Sequence, residues 1–153
     1  MAEEPLKDIS IADMNTDDLA EVAAIERLSF TMPWSETSFY NEVKRPGSIS
    51  RVVRKEGKIA GYICASRVVD EGHILTMAVL PEFRRLGIAS ALIGDMIGNL
   101  REEGCRFIFL EVRFSNEAAR KMYEKFNFRL FGLRKDYYKL PTEDAVLMVL
   151  KFD

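Results

Sequence analysis

Between residues 73 and 100 a short apolar run, a basic turn with one glycine and a long amphipathic stretch follow one another without interruption. His73, Ile74, Leu75, Thr76, Met77, Ala78 and Val79 lie between Gly72 and Pro81 and predict a strand. Ile88, Leu92, Ile93, Met96, Ile97 and Leu100 recur at spacings of three and four, which predicts one apolar face of a helix. The turn from Arg84 to Ala89 therefore opens that helix directly after a strand.

A helix start leaves about four backbone N–H groups unpartnered and carries a partial positive charge, so it attracts anions. Gly87 has no Cβ and Ala89 only a methyl, which lets a phosphate approach the amides of Arg85, Leu86, Gly87, Ile88, Ala89 and Ser90. Arg84 and Arg85 add full charges. This is a pyrophosphate cradle in outline. It lacks the Gly-Lys-Ser/Thr ending of a nucleotide P-loop and the three spaced glycines of a dinucleotide fingerprint.

The chain has 153 residues, which predicts a single domain over 1–153 with a core of its own. Its net charge is −2 with the basic residues dispersed, so no nucleic-acid surface is expected. Two cysteines, Cys64 and Cys105, sit in apolar surroundings beside a single histidine, which argues against zinc and for buried free thiols. The start is acidic without an apolar signal core, and no apolar run reaches bilayer length. A cytoplasmic protein with no membrane partner, a monomer or weak dimer, is the expectation.

Elsewhere, residues 7–14 predict a strand, followed by caps at Asn15 to Asp18 and an amphipathic helix carrying Leu19, Val22, Ala23, Ile25, Glu26 and Leu28. Pro33 ends it, and Ser35 caps a second short helix to Lys44. The loop between them carries Phe30, Pro33 and Trp34. Phe30 reads first as a core plug and Trp34 as a wall of a binding site, with the opposite assignment open for each.

Strands over 51–54, 59–65 and 73–79 form a meander of three. The long helix ends at Gly104, a C′ glycine, and residues 107–112 make the next strand. A strand, helix and strand in that order predict a right-handed crossover, with the two strands parallel and the cradle at their C-terminal end. A helix capped near Asn116 and closed by Asn127 follows. Strands over 128–133 and 145–152 then form a hairpin around residues 135–142.

Arg84, Gly87 and Ala89, after a strand and opening a helix, resemble the [QR]-x-x-G-x-[GA] signature of the GNAT N-acetyltransferase superfamily. Leu110, Glu111, Val112, Arg113, Ser115, Asn116, Ala119, Tyr123 and Phe126 are similar to a segment of its RimI-like and NatA-type N-terminal acetyltransferases. The tail from Lys135 to Ala145 resembles the same group. The resemblance implies an α/β fold, a mostly antiparallel sheet with one splayed parallel pair. It implies acetyl-CoA as acyl donor and a protein or peptide N-terminus as acceptor. Backbone groups of Met77, Ala78 and Val79 would hold the pantetheine arm, the Arg84 to Ser90 turn the pyrophosphate, and Asn116 and Tyr123 the thioester end. Phe30, Pro33, Trp34, Tyr137 and Tyr138, on two loops, would line the acceptor entrance.

Glu111 is a carboxylate in an apolar strand, suited to serve as general base, or else paired with Arg113 or Lys125. Tyr123 could donate toward a leaving thiolate, or simply pack in the core. His73 occupies the place where archaeal NatA-like relatives carry a catalytic histidine, though a strand-end histidine is commonly just solvated. NatA-type loops carry glutamate where this chain has Met32, and Pro33, Trp34 and Ser35 look more like RimI. No metal is implied. Acetylation of a small amine or a lysine, and a CoA-binding module without turnover, stay open as alternatives.

Overall fold

The computed structural model describes residues 8–153; Lys7, placed by its sequence pattern in the first strand, lies outside them. Seven strands and four helices follow in the order β1 (Ile9–Asp13), α1 (Leu19–Ser29), α2 (Glu36–Lys44), β2 (Ser48–Lys55), β3 (Lys58–Val68), β4 (Glu71–Val79), α3 (Ile88–Glu102), β5 (Phe107–Arg113), α4 (Glu117–Lys125), β6 (Arg129–Tyr138) and β7 (Glu143–Lys151). One sheet holds all the strands in the order β1-β2-β3-β4-β5-β7-β6. Every neighbouring pair is antiparallel except β4 and β5.

Local chemistry sets the helix ends. The Ser35 hydroxyl accepts from the Ser38 amide at 3.1 Å and starts α2. Asn116 Oδ1 accepts from the Ala119 amide at 3.1 Å and starts α4. At the end of α3 the Cys105 amide reaches Leu100 O and the Gly104 amide reaches Arg101 O, a Schellman closure around Gly104 at φ 91°. Asn127 closes α4 at φ 72°.

Two apolar layers cover the sheet. On one face Ile88, Leu92, Ile93, Met96 and Leu100 of α3 pack with Tyr123 of α4 against Ile63, Ile108 and Met148. On the other, Leu19, Val22, Ile25 and Phe39 of α1 and α2 pack against Val52, Tyr62 and Ala78. Gly72, read from sequence as a turn before the strand, is the second residue of β4. A Cβ there would stand 3.0 Å from Leu100, so glycine lets α3 lie close on the strand.

Two features of this sheet make the site. In β4, Thr76 pairs with Cys64 and Ile74 with Ala65, leaving Leu75 as an extra, bulged residue. The bulge reverses the alternation, so His73 and Thr76 both face α1 while Ile74 faces α3. The second feature is the brevity of the parallel ladder. It holds only the pairs Glu71–Phe107, Gly72–Ile108 and His73–Phe109, after which β4 and β5 part.

The closing hairpin is longer than its sequence pattern suggests. Tyr137 and Tyr138 belong to β6 and not to a loop, because β6 continues past an irregular stretch after Arg134 until Tyr138 pairs with Glu143. An irregular strand with few alternating apolar residues carries no period to read.

Candidate active site

The parting of β4 and β5 leaves backbone groups facing a cleft. The Leu80 amide bonds to Ala60 O at 2.7 Å, so by strand alternation beyond the bulge the backbones of Thr76 and Ala78 are turned to β3 and those of Met77 and Val79 to the cleft. Ala78, grouped with them from sequence, instead turns its carbonyl toward β3, where it approaches Gly61.

At the cleft's end the chain passes through Arg85 at φ 66° and Gly87 at φ 84°, both left-handed, before α3 begins. The Ala91 amide is the first to bond back, to Gly87 O at 3.0 Å, which leaves the amides of Ile88, Ala89 and Ser90 without helical partners. Among the described residues no side chain caps this helix, and no acidic residue stands in its first turn. Arg85, Leu86 and Gly87 are exposed; Ile88 is buried beneath them. Arg84 is partly committed, since its Nε donates to Val79 O at 3.0 Å and so ties the turn to the strand end. These groups fit an anionic, amide-bearing ligand: a helix start offers free N–H groups to a phosphate, and the unpaired strand edge offers a ladder to an extended arm.

Across the cleft, His73 Nε2 and Glu111 Oε2 are 2.5 Å apart. Neither suggested ion pair of Glu111 forms: Arg113 bonds to Glu143 instead, at 3.2 Å, and Lys125 makes no contact with it. Glu111 faces the α1 side because Ile108, Leu110 and Val112 take the opposite, buried side of β5. Tyr138 stands close by. Burial first, and then the Glu111 carboxylate, raises its phenol above the ordinary tyrosine range.

Tyr123 is buried at 7 % exposure with its ring edge-on to Phe128 at 5.5 Å. Burial pushes its phenol up to about 12, and among the described residues its hydroxyl makes no hydrogen bond. A buried hydroxyl without a protein partner is costly unless it faces a cleft or a ligand. Asn116 lies exposed at the start of α4 with Oδ1 committed to the cap.

In the α1–α2 loop the core-plug reading of Phe30 fails. It is 41 % exposed, and its neighbours Leu28 and Met32 are exposed too, while Phe39 of α2 is the phenylalanine buried in the core beneath α1 and α2. Pro33 is exposed and Trp34 half-buried, its ring tilted at 48° against Phe39 with the centroids 5.1 Å apart. Tyr137 is 40 % exposed and lies edge-on to Tyr138 at 5.0 Å.

Sequence reasoning named two further groups without the roles the structure gives them. Arg113 donates to Lys139 O at 2.8 Å, Pro141 O at 3.0 Å and Glu143, reaches Thr31 Oγ1 at 3.4 Å, and lies over the Tyr138 ring at 4.6 Å. It thereby stitches the β6–β7 turn to the α1–α2 loop. Glu26 is the other, a buried carboxylate on α1. Its signal was in the sequence, a charge at the fourth position after Val22 and the seventh after Leu19 on the apolar stripe.

The acetyltransferase (GNAT) family model matches residues 19–128. The [ribosomal protein bS18]-alanine N-acetyltransferase of Escherichia coli (strain K12) is 34 % identical over 146 residues, 92 % of this chain and 96 % of that protein. The crystal structure of the E. coli ribosomal-protein-S18-alanine N-acetyltransferase superposes with a TM-score of 0.88 at 32 % identity, over 94 % of this chain and 93 % of that one. Ard1 from Thermoplasma volcanium superposes with a TM-score of 0.89 at 26 % identity, over 95 % and 99 %. A splayed parallel pair in a mixed sheet, an uncapped helix start at its open end and sequence similarity along nearly the whole length agree, and the chain belongs to the acetyltransferase (GNAT) family.

Proposed function

We propose that the protein transfers the acetyl group of acetyl-CoA to the N-terminal α-amine of a protein or peptide by direct attack, with Glu111 as general base. The observation that carries this reading is the His73–Glu111 pair at the point where β4 and β5 separate. Acetyl-CoA, when bound, supplies an acetyl thioester to the amine. The turn of Arg84 to Ser90 would bind its pyrophosphate, and the cleft-facing backbone edges of Met77 and Val79, the Val79 carbonyl being shared with Arg84, its pantetheine arm.

With Glu111 ionised, His73 donates from Nε2 to Oε2, which leaves Oε1 to take a proton from the incoming ammonium, directly or through water. His73 thus orients the base and spreads its charge. Tyr123 stays protonated at neutral pH. Its phenol at about 12 against a reference thiol at roughly 8.5 makes full proton transfer to a thiolate uphill by about 5 kcal/mol. Tyr123 therefore helps the leaving sulfur by donating a hydrogen bond. Asn116 contributes through its uncommitted Nδ2. Trp34, Phe30 and Pro33 from the loop, and Tyr137 and Tyr138 from β6, line the approach of the acceptor chain end.

The E. coli relative named above is a [ribosomal protein bS18]-alanine N-acetyltransferase, so a peptide beginning with alanine is the first acceptor to try. Free, buried Cys64 and Cys105 support action in a reducing cytoplasm. An α-amine near pKa 8 presents several hundred times more free base at neutral pH than a lysine near 10.4, which suits one modest base. Incubation with acetyl-CoA and a peptide holding a free N-terminus and an internal lysine, read by mass spectrometry, should place the acetyl group on the N-terminus. Label found mainly on the lysine would overturn the reading.

A further inference from the structure

Glu26 is a carboxylate inside the core. It is 2 % exposed on the inward face of α1, among Val22, Ala23 and Ile25. A bare charge there costs several kcal/mol, and an apolar side chain of similar size serves packing as well or better. Three donors from three segments satisfy it. The Trp34 amide donates to Oε2 at 2.9 Å, the Thr76 hydroxyl to Oε1 at 2.8 Å, and the Tyr62 hydroxyl to Oε1 as well.

Two of those donors bear on the site. Trp34 closes the α1–α2 loop immediately before α2, and its ring rests on Phe39, which in turn meets Tyr62 edge-on at 5.6 Å. Thr76 follows the bulged Leu75 and precedes Met77, whose backbone faces the cleft. One side chain therefore ties the loop on the acceptor side to the strand on the donor side.

We propose that Glu26 is a positioning residue for acetyl transfer, setting the separation between the acceptor loop and the cleft edge of β4 by holding Trp34 on one oxygen and Thr76 on the other. This rests on the acceptor-side role given above to the α1–α2 loop. No proton leaves or reaches Glu26 in the reaction; it acts through the two segments it joins. The tether matters because misplacement of reacting groups by about 1 Å can cost roughly 10²-fold in rate.

Trp34 is the single tryptophan of the chain, so its fluorescence reports on the loop alone. Glu26→Leu removes both oxygens. Glu26→Gln keeps a carbonyl for the Trp34 amide and turns its NH2 toward two hydroxyls that can accept. Thr76→Val cuts the tether at its strand end in a near-isosteric change. We expect Glu26→Leu to shift Trp34 emission to longer wavelength, to increase its quenching by acrylamide, and to raise the peptide KM about tenfold. Acetyl-CoA affinity by calorimetry should stay within about twofold. Glu26→Gln should restore most of both signals. If Glu26→Leu does not fold, Thr76→Val should still raise the peptide KM several-fold at unchanged acetyl-CoA affinity. A lowered melting temperature beside unchanged Trp34 emission and unchanged peptide KM would overturn the proposal, as would equal losses in peptide and acetyl-CoA binding. Failure of the wild-type protein to acetylate any peptide would count against the proposed function, while the Trp34 comparison would still decide whether Glu26 holds the loop.

Discussion

Glu111 reaches back across the cleft to His73, whose backbone sits opposite Phe109, two residues before Glu111 on β5, and the two side chains meet at 2.5 Å. The proposed base and its proposed orienting partner thus come from the two strands that separate to form the cleft. Residues that act as one unit lose rate non-additively. Glu111→Gln should lower kcat by roughly 10²-fold, His73→Asn by about tenfold, and the double variant little more than Glu111→Gln alone. Steady-state kinetics showing multiplicative losses would assign the two residues independent roles.

Tyr123→Phe deletes a hydroxyl that has no hydrogen-bond partner among the described residues, while keeping the ring on Phe128. We expect kcat to fall at least tenfold with peptide KM and melting temperature nearly unchanged, measured side by side. Wild-type turnover would return Tyr123 to a packing role.

The same phenol sets a stability trend at high pH. Burial raises it to about 12 in the fold, above the roughly 10 of an unfolded tyrosine, so the native state binds the proton more tightly. Its contribution is whole below about pH 10 and is lost as pH climbs toward about 12. Tyr62 and Tyr138 shift in the same direction, Tyr62 through burial and then Glu26. Denaturant melts should show falling stability across that window, less steeply in Tyr123→Phe; a flat profile would contradict the burial of these hydroxyls.

Gly87 holds a left-handed conformation at the mouth of the cradle. Gly87→Val therefore strains the backbone by about 1–2 kcal/mol as well as placing a branched side chain where a pyrophosphate would approach. Calorimetry should find acetyl-CoA affinity weakened several-fold and the melting temperature down by a few degrees. Unchanged affinity would remove the pyrophosphate from this turn.

Arg113→Lys keeps the charge and loses the planar fork that spans Lys139 O, Pro141 O and Glu143. The two loops should part, raising peptide KM about fivefold with acetyl-CoA affinity preserved. Glu143 is tied to the same network: hydrogen bonds from Ser115, followed by Arg113, hold its carboxyl below the ordinary range. That contribution is present above about pH 4.5 and is lost as pH falls through the lowered value. Peptide kinetics indistinguishable from wild type would limit Arg113 to surface packing.

The periodic parts of this protein were readable from the residues. The α3 stripe, the meander and the caps at Ser35, Asn116 and Gly104 follow from spacing and local hydrogen bonding, and all stand in the structure. What escaped lies where a local pattern carries no long-range information. The bulge at Leu75 shows only once β3 is alongside. Phe30 is exposed while Phe39, nine residues on, is buried in the core with Tyr62, a choice that rests on packing against distant strands. Glu26 interrupts an apolar stripe, but its meaning depends on Tyr62 and Thr76, which lie 36 and 50 residues away. The pairing of His73 with Glu111 spans 38 residues and two strands.

The parallel ladder of three pairs leaves a sheet whose two halves are joined along only a short seam. A guest with amide groups along an extended arm can take up the bonds that the strands withhold from each other, and so bind the folded sheet but not the unfolded chain. By mass action such a guest at about a hundred times its dissociation constant adds roughly 2.7 kcal/mol to stability. The lifetime of this protein in a cell would then follow the supply of acetyl donor, and starvation for it would thin out the enzyme along with its substrate.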